Sequence, residues 1–310
     1  MRIIRDYQFV QPKDRGASAA IGNFDGVHLG HQAVIQIAAD AEPDAPLGIL
    51  TFEPHPRAYF APEAPAFRLM NAEARASRLE KLGVDRLYQL NFNAALASLS
   101  PREFAAKVIH EGLGLRHVVV GADFCFGQGR KGTAKDLQRF GAEMGFGVTI
   151  AELLETGGLQ VSSTAIRKAL SDGRPQDAAA QLGHWHRIEG EVIGGEQRGR
   201  ELGYPTANMS IDGLHPPKFG VYAVLVDVTE GPHKGSYHGA ASIGVRPMFD
   251  GEVPNIETFL FDFKGDLYGT RLSVALVDYL RPELKFDGLD ALITQMDADC
   301  EKARGILSAL

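Results

Sequence analysis

Five short apolar runs in the first half of the chain, SAAIGNF, PLGILTF, RLYQLNF, HVVVGADF and GVTIAEL, are separated by stretches with helical patterning. This alternation constrains the fold more than any other feature. A strand can pair in parallel with its neighbour only after a crossover has carried the chain back, and a helix is the usual crossover. A doubly wound α/β parallel sheet is therefore expected. Ligands of such sheets lie beyond the carboxyl ends of the strands, which is where Asn23, Asp25 and Asp123 fall.

The pattern changes near SDGRPQDAAAQLGHWH, residues 171–186. Beyond it the strand candidates HRIEGEVIG, GVYAVLVDV, SYHGAASIGV, NIETFLFDF and LSVALVDYL follow one another without helices between them, which predicts a small antiparallel β-barrel. From Asp287 the chain turns helical, with Leu289, Leu292, Ile293, Met296, Cys300, Ala303 and Leu307 on one stripe expected to close the barrel. A chain of 310 residues, 45% of them hydrophobic, can bury two such cores, and domains are expected at 1–182 and 183–310.

Composition removes several function classes. A net charge of -7 argues against nonspecific nucleic-acid binding, so an anionic ligand must be held by local groups. Cys125 and Cys300 belong to no paired motif, which gives no support to a disulfide framework or a zinc ribbon. The opening MRIIRDYQFVQPKDRG is broken by charge, and no run is long enough to span a bilayer. A soluble, cytoplasmic protein without a membrane partner is the expectation.

Three stretches carry chemistry. In GNFDGVHLGHQ a glycine-rich turn precedes His28 and His31. If a helix starts there, both imidazoles share its first turn, where unpaired N–H groups and the helix dipole favour an anion such as phosphate. In VSSTAIRKAL three hydroxyls precede a helix carrying Arg167; they can cap the helix or grip phosphate oxygens. In GGEQRGRELGYPTANM a glycine-rich loop leads to Thr206 and Asn208. Their oxygens suit Mg²⁺, although Gly, Pro, Thr and Asn are turn residues and a plain turn is the reading the residues favour. Glu257 sits in a strand candidate with Ile256 and Thr258 facing the other way, and a face shared with Phe259 is expected only if the pairing is irregular.

Taken together, GNFDGVHLGHQ, TFEPHP, VGADFCFG with Arg130, and VSSTAIR in the first half, and RGRELGYPTANM, PKFGVYAV, SIGVRPMF, NIETFLFDF, GDLYG and LRPELKFDGLDAL in the second, resemble the bacterial bifunctional riboflavin kinases/FMN adenylyltransferases nearly end to end. The resemblance implies a Rossmann-like nucleotidyltransferase domain followed by a riboflavin kinase barrel. It implies ATP, riboflavin and FMN as substrates, FAD as product and Mg²⁺ as cofactor. His28 and His31 then stabilise charge on the α-phosphate of ATP, while Ser163, Thr164 and Arg167 hold the leaving pyrophosphate. Gly22, Asn23, Asp123 and Arg130 match the nucleotide region, and Phe52, Pro54 and Arg246 match flavin contacts. In the kinase half Gly195 and Gly199 belong to the ATP loop, Thr206 and Asn208 hold Mg²⁺, and Glu257 takes the proton of the ribityl 5′-hydroxyl.

The chain departs from the family pattern at Cys125, where arginine is frequent, and at Met248 and Phe259, where polar residues are common. Cys125 is expected to be a small buried side chain. The other two departures raise an alternative: a single-activity adenylyltransferase whose kinase module has drifted into a flavin-binding accessory. A non-catalytic flavin sensor is opposed by the presence of His28, His31, Thr206, Asn208 and Glu257 together. His184 and Trp185 are expected to pack at the junction.

Overall fold

The computed structural model describes residues 1–152, 155–156, 159–194, 203–248 and 251–310, with the backbone alone at 155–156, 159–160, 246–248 and 251–253. Packing divides the chain into two compact units, Met1–Ala64 with Arg75–Val161, and Pro65–Ala74 with Ser162–Leu310. The second unit thus includes 65–74 and 162–182, which precede the boundary expected from the sequence pattern.

In the first unit all five expected strands form: Ser18–Ile21, Leu47–Glu53, Arg86–Asn91, His117–Gly121 and Gly147–Ala151. Val118, Val119 and Val120 are wholly buried, as strands covered on both faces require. An edge strand, Arg2–Ile4, was hidden by the charge around it. The sheet order is Arg2–Ile4, Arg86–Asn91, Leu47–Glu53, Ser18–Ile21, His117–Gly121, Gly147–Ala151, and every pairing is parallel. The chain moves from Ser18–Ile21 to one side and reaches the other only at His117, so the strand order reverses between these two neighbours. In open α/β sheets ligands bind beyond the carboxyl ends of the strands at such a reversal.

In the second unit six antiparallel strands run in the order Arg187–Glu191, Arg271–Arg281, Gly220–Val228, Gly235–Met248, Gly251–Leu260, Thr206–Ser210. The sheet curls until Ile193 donates its N–H to the Asn208 carbonyl at 2.9 Å, which nearly closes a barrel. Tyr222, Val224, Val226, Ile243, Ile256 and Val274 fill the interior. The C-terminal helix, Leu289–Leu307, covers the outer face, setting Ala303 and Leu307 against Ala223, Ala240, Val277 and Leu280. Leu289, expected on the buried stripe, is instead 54% exposed, because the helix begins beyond the strands it covers. Trp185 packs on this outer cluster.

Two sequence-based expectations need correction here. The PTAN segment is no turn: Thr206–Ser210 is a strand, since Ala207 and Met209 gain a place in the barrel interior and sheet pairing outweighs local turn preference. Nor does Glu257 need an irregular pairing to share a face with Phe259. The register runs unbroken from Thr206↔Phe259 to Ser210↔Asn255, and the two-residue alternation of a regular strand itself puts Glu257 and Phe259 on one side.

Thr258, on the opposite side, is fully buried, and its hydroxyl has no hydrogen-bond partner among the described residues. A buried unsatisfied hydroxyl costs about 1–3 kcal/mol. Thr258→Val is nearly isosteric and should stabilise the second unit by about 1 kcal/mol, read as a rise in its unfolding midpoint. A lower midpoint for the valine variant would show that the hydroxyl is satisfied in solution.

Candidate active sites

The first constellation begins where Ser18–Ile21 ends. Gly22 donates its N–H to the Leu50 carbonyl at 3.1 Å, and the backbone then passes through left-handed conformations at Phe24 (φ 51°), Gly26 (φ 88°) and Val27 (φ 46°). Such values are costly for phenylalanine and still more for β-branched valine, so the surroundings must hold this loop in place. Burial does so: Phe24 and Val27 are 1% and 0% exposed.

The loop delivers His28 to the N-cap of the helix Leu29–Ala41, where its Nδ1 accepts the N–H of His31 at 3.2 Å. A ring nitrogen that accepts carries no proton, so the proton of neutral His28 resides on Nε2 as a donor. The His28 and His31 rings are stacked, with centroids 3.6 Å apart and an interplanar angle of 15°. Burial, and then the adjacent His28, push the His31 pKa well below its ordinary 6.5, so this imidazole is neutral at physiological pH. Its Nδ1 is buried with no hydrogen-bond partner among the described residues. Gly30 permits the stack, because a Cβ there would press on the His28 ring at 3.2 Å.

Other residues of the first unit gather at the same edge of the sheet. Asn23 lies exposed directly after Ser18–Ile21, and Asp123 lies exposed after the adjacent strand His117–Gly121. Phe52 is the penultimate residue of the Leu47–Glu53 strand, its ring packed on Phe92 and Phe104 at 5.7 and 6.4 Å, and Pro54 follows the strand. Arg130 is exposed, with a left-handed φ of 57°. Cys125 is only half-buried, contrary to expectation; it lies in a two-residue strand that pairs outside the main sheet with Gly132–Thr133, and its thiol points to the Asp123 carbonyl at 3.6 Å.

Ser163, Thr164 and Arg167 belong to the second unit. The capping role falls to Ser162, whose hydroxyl accepts the Ala165 N–H at 3.2 Å, so Ser163 and Thr164 open the helix Ser163–Ser171 without being its cap. Arg167 donates from Nε to the Phe67 carbonyl at 2.5 Å and lies over the Phe67 ring. On the barrel, Asn208 and Glu257 are direct cross-strand partners, and Thr206 is two residues from Asn208 on the same outer face. The Asn208 side chain is buried, and its Oδ1 has no partner among the described residues. Phe259, opposite Thr206, packs edge-on against Tyr204 at 5.2 Å. Ser242, the first residue of SIGVRPMF but given no role in the sequence reading, is the partner of Glu257 on its other side. Gly195 and Gly199 lie outside the described residues, as do the side chains of Arg246 and Met248.

A parallel α/β unit with paired histidines at a helix N-terminus, joined to an antiparallel barrel with Asn and Glu side by side, defines a two-part nucleotide-using transferase. Residues 10–165 match the family model described as FAD synthetase, and residues 182–307 match that described as riboflavin kinase. The bifunctional riboflavin kinase/FMN adenylyltransferase of Pseudomonas fluorescens is 42% identical over 99% of this chain and 98% of its own; that of Escherichia coli K12 is 36% identical over 98% and 97%. A crystal structure named as a macrolide-efflux protein from Streptococcus pneumoniae superposes with a TM-score of 0.83 at 34% identity, covering 98% of each chain. No helix among the described residues is long and apolar enough to cross a membrane. The chain belongs to the bifunctional riboflavin kinase/FMN adenylyltransferase family. Both halves carry the likeness, which favours two activities over an adenylyltransferase with a drifted kinase module.

Proposed function

We propose that residues 1–182 transfer the adenylyl group of ATP to FMN, releasing pyrophosphate, and that residues 183–310 phosphorylate riboflavin with ATP. The observation that carries this reading is the presence of two separate constellations: stacked His28 and His31 at a helix N-terminus, and Asn208 beside Glu257 on a barrel face. Neither requires a covalent intermediate on the protein.

In adenylyl transfer the FMN phosphate attacks the α-phosphate, the bond to the β-phosphate oxygen breaks, and negative charge builds on the non-bridging oxygens. Donors already aimed at that charge act without reorganising. The Nε2–H of His28 and the dipole of the helix Leu29–Ala41 suit the task, and neutral His31 avoids two adjacent imidazolium charges. Gly22, Asn23, Asp123 and Arg130 are assigned to the nucleotide, Phe52 and Pro54 to the flavin, and Ser163, Thr164 and Arg167 to the pyrophosphate.

In the kinase reaction Glu257 accepts the proton of the ribityl 5′-hydroxyl as it attacks the γ-phosphate. The buried Oδ1 of Asn208, without a partner among the described residues, fits a hard cation, and with Thr206 it would hold Mg²⁺. Bound there, Mg²⁺ supplies neutralisation of phosphate charge. Gly195 and Gly199 are assigned to ATP and Arg246 to the flavin. The partners are thus the small molecules riboflavin, FMN and ATP, in the cytoplasm.

Incubating the chain with riboflavin, ATP and Mg²⁺ and separating the products by chromatography tests the whole reading. FMN and FAD should both appear. FAD formed only when FMN is supplied would leave a single-activity adenylyltransferase, and no turnover of either flavin would sink the reading.

A further inference from the structure

Arg75 is the largest fully buried side chain among the described residues, 1% exposed, in a helix whose sequence AEARASRLEK reads as a solvated surface. Burying a guanidinium is costly unless its donors are matched, and such a group is retained where its fork fixes a geometry. Here the fork joins two strand ends. One terminal nitrogen donates to the Asn23 carbonyl at 3.1 Å, and the other meets the Glu53 carboxylate at 3.0 Å. The hydroxyl of Thr51 donates to the same Asn23 carbonyl at 3.3 Å.

Asn23 is the last residue before the left-handed run from Phe24 to Val27, and Phe24 lays its ring against that of His31 at 5.1 Å. On the other arm, Glu53 precedes Pro54, the start of the adjoining loop. We propose that Arg75 is a positioning residue for adenylyl transfer: by clamping the Asn23 carbonyl and the Glu53 carboxylate together, it holds the strained loop, and through Phe24 the His28–His31 pair, in register with the flavin-side loop. This inference rests on the adenylyl-transfer reading of the first unit.

Lysine keeps the charge but gathers its donors on one nitrogen, which cannot span both partners as the guanidinium fork does; methionine keeps most of the stem and has no donor. Arg75→Lys should lower kcat for FMN adenylylation by about tenfold and Arg75→Met by about a hundredfold, because misplacement of a reacting group by about 1 Å costs that much. KM for ATP should change less than about threefold, since substrate contacts are kept. Riboflavin phosphorylation by the same preparation should be unchanged and reports a folded chain. Thr51→Val removes only the second donor to the Asn23 carbonyl and should cost a few-fold in kcat, which keeps the test decisive if both Arg75 variants misfold. Parental kcat in any folded Arg75 variant would overturn the clamp, as would parental kcat in Thr51→Val where neither Arg75 variant folds, or a fall in unfolding midpoint with kcat intact. If the unaltered chain makes no FAD from FMN and ATP, the adenylyl-transfer reading fails instead.

Discussion

Replacing His28 and His31 together by alanine is expected to abolish FAD formation from FMN and ATP while leaving FMN formation from riboflavin intact. Each imidazole is set at the N-terminus of the helix Leu29–Ala41, and the two rings are stacked at 3.6 Å, so neither moves without the other. Loss of one preorganised donor costs about a hundred- to a thousandfold in turnover, and loss of both should exceed the upper figure. The effect on folding is far smaller. His28→Ala removes one N-cap bond, worth about 1 kcal/mol, and that cost is confined to the first unit. Chromatographic assay of both products in one preparation separates the two effects. FAD made at the parental rate by the double variant would show that the pair does not act on the phosphate.

The second large effect is expected at Glu257. The ribityl 5′-hydroxyl is a weak nucleophile at neutral pH, and a carboxylate placed to take its proton accelerates the step without holding the substrate. Glutamine preserves shape and removes basicity. Glu257→Gln should therefore lower kcat for riboflavin phosphorylation by about a hundred- to ten-thousandfold, with riboflavin affinity and FAD synthesis from supplied FMN retained. Its neighbour gives the contrast: Asn208→Ala, which removes the buried Oδ1, should raise the Mg²⁺ concentration needed for half-maximal rate. If Glu257→Gln keeps near-parental kcat and instead loses riboflavin affinity, the residue orients the substrate and the proton leaves by another route.

Phe259 bears on the same site. Its ring packs edge-on with Tyr204 at 5.2 Å and with Phe261 at 5.8 Å. The outer face beside Thr206 is therefore apolar on one side and polar at Asn208 and Glu257 on the other. The regular pairing of Asn208 with Glu257 stands beside this aromatic cluster.

The parallel α/β sheet, the barrel and the closing helix were legible in the residue pattern, because hydrophobic period and turn residues are local signals that any stretch of the chain displays on its own. His28, His31 and Glu257 could be picked out as candidates because they lie in short contiguous motifs. What the sequence could not reveal depended on partners distant in the chain. The strand at Thr206–Ser210 looks like a turn until Gly251–Leu260 pairs with it, and the edge strand Arg2–Ile4 looks like a charged tail until Arg86–Asn91 does. The helix cap was assigned to hydroxyls at large, and only the backbone direction gave it to Ser162. Arg75 was wholly illegible. An arginine in a charged helix carries no local sign of burial, and its role exists only because the chain brings Asn23 and Glu53, 52 and 22 residues away, to the two arms of one guanidinium. Tertiary structure decided that, because burial and hydrogen-bond pairing are properties of the assembled neighbourhood and not of the residue.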